Sequence, residues 1–359
     1  MSLDNLNFTS EILNGKSPKE AGYFFPAEWH THKATWLSWP HKEASWPRKL
    51  ETIYDNYIAF IKAVAKGETV NINIVDVAMQ QKVFSLLEKA NANFDKIKLH
   101  INPTNDAWCR DHGPAFLINS EEQKKIIIDW GYNAWGGKYP PFDLDDNIPT
   151  LIGKYLNLPV LYPGIVMEGG SVDFNGKGTV LTTTQCLLNE NRNPHLNQEQ
   201  IEKYLEAYYG ISQILWLEEG IVGDDTDGHI DDITRFVNEE TVVTVVEENK
   251  QDENYELLQN NLKALKQMRL MNGQQLNIVE LPMPDAVIYE DQRLPASYAN
   301  FYIANSAVIV PTFRCAQDDK ALQIISTCFK DREIIGIDST DIIWGLGSFH
   351  CLSQQEPLV

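Results

Sequence analysis

Apolar residues recur along the chain with two periods, and the two alternate from one end to the other. The helical period is clearest over 49–65. There Leu50, Ile53, Tyr54, Tyr57, Ile58, Ile61 and Val64 fall at three- and four-residue steps and make one stripe. Further helices are predicted over 80–91, 198–209, 254–268 and 318–329. Short β-rich runs predict strands over 35–39, 70–76, 124–130, 178–183, 241–247, 276–281, 307–311 and 333–338. By this pattern the aromatics of the first stripe are core side chains, not a cofactor box. Roughly five strand-pair-plus-helix units can be counted, about seventy residues apart, without letter-by-letter repetition. No linker or low-complexity tract divides the chain. One closed α/β domain over 1–359 is therefore expected, with 1–20 a peripheral N-terminal segment. A doubly wound open sheet is the alternative, but no G-x-G-x-x-G or Walker-type loop marks a nucleotide site.

Composition narrows the class. With 359 residues, 43% of them hydrophobic, the chain can bury a large core and is not disordered. No window approaches the ~18 unbroken apolar residues of a membrane helix. No basic stretch followed by an apolar one opens the chain as a secretion signal would. The five cysteines, Cys109, Cys186, Cys315, Cys328 and Cys351, are scattered and never spaced C-x-x-C. That argues against a disulfide framework or a structural zinc site and fits a reducing cytoplasm. A formal net charge of −20 disfavours nucleic acid and acidic membranes as partners. It would draw in a small cation, although acidity for solubility alone explains the number equally well.

Four polar, glycine-punctuated segments carry candidate chemistry. In the run from Asn105 to Pro114, Asp111 can accept paired hydrogen bonds from a planar guanidinium and Trp108 can cover its face. The alternative is a loop held by an internal Arg110–Asp111 pair. In Glu168-Gly169-Gly170 the double glycine lets the backbone turn and approach a ligand, with Glu168 at a strand edge; a plain hairpin turn explains the same letters. Gly223 to Asp232 is dense in acids, including Asp225 and Asp227, but its glycine falls out of register for a calcium loop. His229 and Asp231, two apart, share a face if the segment is extended, as a proton-shuttling pair beside a cation would. An Asp/His metal site is the rival there. Near the C-terminus, glycines flank Cys351, and a nearby cation, either His229 or a substrate, would lower its thiol pKa. His350 would point the opposite way if this stretch were a strand, which makes it the weaker base. A buried terminal strand with an inert thiol is the plain alternative.

Taken together, these segments resemble the agmatine deiminases of the guanidine-modifying superfamily. The resemblance runs from Gly22-Tyr23-Phe24-Phe25-Pro26-Ala27-Glu28-Trp29 through Trp108-x-Arg110-Asp111-x-Gly113-Pro114, Glu168-Gly169-Gly170 and Gly223-Asp224-Asp225-Thr226-Asp227-Gly228-His229-x-Asp231. It continues to Ser297-Tyr298-x-Asn300-Phe301-Tyr302 and His350-Cys351-x-x-Gln354-Gln355. It implies a five-bladed α/β propeller of pseudo-fivefold ββαβ units around a central site. It also implies roles: Asp111 and Asp231 grip a guanidinium, Cys351 attacks its carbon, and His229 handles protons. Glu168 would hold His229, and Trp108 would wall the pocket. Asp225 and Asp227 are candidates for the substrate's distal ammonium on composition only, and Asn300 is a further expected substrate contact. No metal and no organic cofactor are implied. Agmatine hydrolysis to N-carbamoylputrescine, within putrescine and polyamine biosynthesis, is the expected reaction. Arginine or peptidylarginine deiminases, an amidinotransferase, and a non-catalytic acidic module binding a polyamine or metal are the rivals. Homo-oligomer formation stays open. Leu346, Ser348 and Phe349 depart from the glycine-rich pattern of the family just before the nucleophile, and His112 departs near the pocket.

Overall fold

The structure is a computed structural model that describes residue 6 and residues 8–359. The chain builds a mixed α/β fold in which five sheets repeat one plan. In each, a first strand pairs antiparallel with a second, and the second pairs parallel with a third after a helical crossover. Four sheets follow in chain order. Their strands are Ala115–Asn119, Lys124–Ile128 and Val160–Leu161; then Asp173–Phe174, Thr179–Thr183 and Gln213–Leu217. Next come Thr234–Phe236, Thr241–Val246 and Asn277–Pro282, and last Tyr302–Ile303, Ala307–Thr312 and Glu333–Asp338. The fifth sheet joins the chain ends. Its first strand, Ser353–Pro357, lies antiparallel to His32–Ser38, which runs parallel to Thr69–Ile74 and on to Ile97–Ile101.

All eight expected strands and all five expected helices are present, with ends displaced by a few residues. Helix Tyr54–Val64 buries Tyr54, Tyr57, Ile58, Ile61 and Val64, the stripe that its periodicity defines. Each large apolar side chain buried this way stabilises the fold by about 1.5–3 kcal/mol. Helix Gln198–Tyr209 starts at Asn197, whose side chain accepts from the Gln200 backbone N–H, and stops at Gly210 in the left-handed region at φ 69. Of the N-terminal segment, residues 1–5 and 7 lie outside the described residues. The remainder is only partly peripheral, because Leu13 is buried and Phe8 packs edge-on against Tyr204.

The sheets position the site by a simple rule. Each of the four polar segments, and a fifth one at Asn300, enters the first strand of a different sheet. Asp111 ends a short helix before Ala115–Asn119, and the Gly169–Ser171 turn precedes Asp173–Phe174. The Ile230–Asp232 turn precedes Thr234–Phe236, Asn300 precedes Tyr302–Ile303, and Cys351 precedes Ser353–Pro357. Five loops far apart in sequence thereby meet. No helix among the described residues is long and apolar enough to cross a membrane.

Candidate active site

Cys351 lies in the turn before the last strand rather than within it, and lines a cleft of ≈ 220 Å³. Its side chain is 4% exposed. Its Sγ accepts from Asn300 Nδ2 at 3.0 Å and lies 3.5 Å from Asp231 Oδ2. The Asn300 side-chain carbonyl also accepts from the backbone N–H of His350 and of Cys351, at 3.1 and 3.3 Å. Asn300, expected to contact substrate, therefore holds the thiol and its turn and is not among the residues lining the cleft. Gly347 is required by close approach: a β-carbon there would sit 2.6 Å from the Trp108 ring and 3.2 Å from Cys351 Sγ.

Asp111 and Asp231 face the same centre. Asp111 Oδ1 accepts from the Gly170 N–H at 2.9 Å and its Oδ2 from Trp135 Nε1 at 3.0 Å. Asp231 Oδ2 accepts from His350 Nδ1 at 2.6 Å, while its Oδ1 has no hydrogen-bond partner among the described residues. His229 Nδ1 lies 3.8 Å from Asp111 and 4.0 Å from Asp231, and neither ring nitrogen finds a hydrogen-bond partner there. Gly170 is a second position fixed by space, since a β-carbon would come 2.5 Å from His229 Nδ1. The double glycine is thus an approach of backbone to site, not a plain hairpin.

Glu168 is fully buried, and its Oε1 accepts from Arg192 Nε at 2.5 Å; its Oε2 has no hydrogen-bond partner among the described residues, and Glu168 and His229 bring polar side-chain atoms within 4.8 Å of each other. Two expectations need correction. Asp227 does not line the cleft: it pairs with Arg192 Nη1 at 2.7 Å, Asn191 Nδ2 at 2.9 Å and Lys138 Nζ at 2.9 Å. His350, set aside as pointing away, turns its ring into the site because residues 349–352 form a turn and not a strand. Trp108 lines the cleft as expected and stacks on Trp46 at 5.2 Å, and Asp225 lines its mouth, where it accepts from Tyr139 Oη at 2.5 Å. The sequence reading missed Trp135 and Arg192, and it assigned no role to Glu28. Trp135 carried a usable signal, a glycine-punctuated aromatic run like the four segments singled out.

Electrostatics divides these groups. Burial, with Asp231, Asp232 and Asp111 nearby, pushes the Cys351 thiol well up, against a smaller pull from the Asn300 hydrogen bond. Burial pushes Asp111 up to about 6, with His229 opposing and Asp231 and Glu168 adding. Burial would lower His229, but the Asp111, Cys186 and Asp231 charges outweigh it and hold the ring well above its ordinary value. Burial would raise Asp231, yet its hydrogen bond and attraction to His350, with His229 and Arg235, bring it down. The substrate-free site therefore pairs a neutral thiol with a cationic His229 and carboxylates open to a further cation. Two groups, Glu168 with Cys186 and His229, and Asp231 with Asp232 and Cys351, could each present three metal ligands. The first carries the Arg192 guanidinium on Glu168, whose charge opposes a metal cation beside it.

A cleft with a thiol at its floor, aromatic walls and converging carboxylates defines a site for nucleophilic attack on a planar cation. Residues 24–357 match the model of the Porphyromonas-type peptidyl-arginine deiminase family, and the chain belongs to that family. It is 33% identical to the agmatine deiminase of Ectopseudomonas mendocina over 95% of this chain and 97% of that one. The structure of the Enterococcus faecalis agmatine deiminase superposes with a TM-score of 0.89 at 31% identity, covering 96% of this chain and 98% of the other. A cysteine-to-serine variant of C. jejuni agmatine deiminase with substrate bound gives 0.85 at 33% identity, covering 93% and 96%.

Proposed function

We propose that this protein is an agmatine deiminase, hydrolysing agmatine to N-carbamoylputrescine and ammonia in putrescine and polyamine biosynthesis. The observation that carries the reading is Cys351 Sγ at the cleft floor beside Asp231, with Asp111 and His229 facing the same point. The agmatine deiminases that share the fold at more than 30% identity support the substrate. The five sheets of one plan support a five-bladed α/β propeller, with 1–359 as one domain.

Asp111 and Asp231 accept the guanidinium N–H groups from two sides, and Trp108 covers its face. The arriving positive charge stabilises the thiolate, so Cys351 releases its proton to solvent as substrate binds. The sulfur then attacks the guanidinium carbon while the carboxylates hold charge on the nitrogens. His229 donates its proton to the departing nitrogen, the C–N bond breaks, and ammonia leaves a thiouronium on Cys351. His229 next takes a proton from water, hydroxide adds to the carbon, and the C–S bond breaks to return thiolate and the ureido product. Asp225, at the mouth, is the residue we assign to the distal ammonium; Asp227 is withdrawn from that role. Five free cysteines fit a reducing cytoplasm.

The family description favours one second reading, a peptidyl-arginine as the guanidine. Against free arginine, Lys42, which lines the cleft, is already paired with Asp106 at 3.4 Å. Ammonia release measured separately with agmatine, arginine and an arginyl peptide ranks these substrates, and an added acceptor amine exposes any amidino transfer. Quenching during agmatine turnover should leave an adduct of agmatine less ammonia on the Cys351 peptide. Cys351→Ser should bind agmatine without turning it over; persisting turnover in that variant rejects the mechanism.

A further inference from the structure

His350 sits between two buried carboxylates. Its Nδ1 is 2.6 Å from Asp231 Oδ2 and its Nε2 is 2.7 Å from Glu28 Oε2. Each ring nitrogen faces a carboxylate oxygen at hydrogen-bond distance, and the ring spans the gap as a strut. Glu28 is the far anchor. Its Oε2 also accepts from Arg110 Nη2 at 3.2 Å and Arg235 Nη2 at 3.0 Å, and its Oε1 from the Ile303 N–H at 2.7 Å. Arg235 is in turn held by Asp173 at 2.5 Å. Every member of this network is buried, and its residues come from all five sheets or their entry loops.

The strut has a consequence at Asp231. With Oδ2 occupied by His350, the carboxylate cannot rotate to offer either oxygen at will, and Oδ1 is the oxygen left without a partner. A buried acceptor without a donor is unfavourable, and a ligand N–H that arrives relieves that cost. A missing side chain at 350 would free Oδ2 to swing and leave Glu28 with one partner fewer.

We infer that His350 is a positioning residue that aims the open oxygen of Asp231 at the guanidinium by tying its other oxygen to the Glu28–Arg110–Arg235 network. The inference rests on the reading of Asp231 as a guanidinium acceptor. His350 itself touches neither the cleft nor the reacting atoms.

A double-mutant cycle tests it. In the full-length Cys351→Ala chain, agmatine binding is measured by calorimetry with His350→Leu, Asp231→Asn, and both together. His350→Leu alone should weaken binding roughly 10- to 100-fold, the worth of a hydrogen bond to a charged group. In the Asp231→Asn background the same change should cost less than about threefold, because its target is already lost. Equal losses in the two backgrounds would show that His350 acts through general stability and would overturn the inference. Where His350→Leu fails to fold, His350→Gln, which keeps a donor, replaces it. That variant should retain more agmatine binding than His350→Ala, and equal binding by the two would count against the strut. A parent chain that binds neither agmatine nor guanidinium chloride would sink the functional reading, and this inference with it.

Discussion

The proposed role of Asp111 needs it charged in a place that resists charge. Burial moves it up to about 6 from the ordinary 3.8, and Asp231 and Glu168 sharpen the penalty. The sign for ligand binding follows directly. Above about pH 6 the carboxylate is ionised and grips a cation; below it a proton occupies an acceptor and the grip weakens. Agmatine affinity of the Cys351→Ala chain should therefore fall roughly tenfold per unit as pH drops below about 6, where a single proton competes. Calorimetry between about pH 5 and pH 8 reads this, and a flat profile would remove Asp111 from the role. At the level of single residues the sequence was legible where chemistry needs a rare residue type. Cys351, Asp111, His229 and Asp231 stand out by type and by the glycines around them. Partners chosen by space alone were not legible. That Glu168 binds Arg192 and that Asn300 binds the thiol depends on which loops meet, and no local pattern encodes that.

At the scale of elements, helices and second strands were readable because each buries a face with a fixed period. The missed strands include Ile97–Ile101, Ala115–Asn119 and Gln213–Leu217, each five residues long, and several that are shorter. Asp173–Phe174, Tyr302–Ile303 and Thr234–Phe236 are two or three residues long and buried throughout, so they show no alternation. The last strand, Ser353–Pro357, reads as polar, with Ser353, Gln354, Gln355 and Glu356, yet it is buried. Most of its polarity is matched: Gln355 accepts from Arg110 Nη1 at 2.8 Å, and Glu356 accepts from Trp36 Nε1 at 3.0 Å and Lys125 Nζ at 2.6 Å, while Gln354 Nε2 finds no partner among the described residues. This strand closes the fifth sheet against His32–Ser38 and carries Cys351 on its entry turn, so its anchors serve stability and site together. Glu356→Ala would remove the charged partner of the Lys125 ammonium and leave it the Pro357 carbonyl, at 3.0 Å, as acceptor. Loss of one member of a buried pair costs about 3–5 kcal/mol. Urea unfolding should show a shift of that size. A shift below about 1 kcal/mol would mean that the pair contributes no more than a surface one.

Across the whole molecule, the charge of −20 acts on substrate before any contact forms. Agmatine is a small cation, and a negative field raises its concentration near the protein and speeds encounter. Such a field is screened over about 10 Å at 0.1 M salt and about 3 Å at 1 M. The contacts at Asp111 and Asp231 lie within the buried site and are screened far less. Salt should therefore separate the two contributions. Raising ionic strength from about 0.02 M to about 1 M should lower kcat/KM for agmatine several-fold while leaving kcat nearly unchanged, because the bound complex is shielded from the ions. Alkylation of Cys351 by an uncharged reagent should show no such slope and serves as the control for a salt-induced change of structure. If kcat falls in step with kcat/KM, or if alkylation shares the slope, the net charge is there for solubility and the site alone selects the cation.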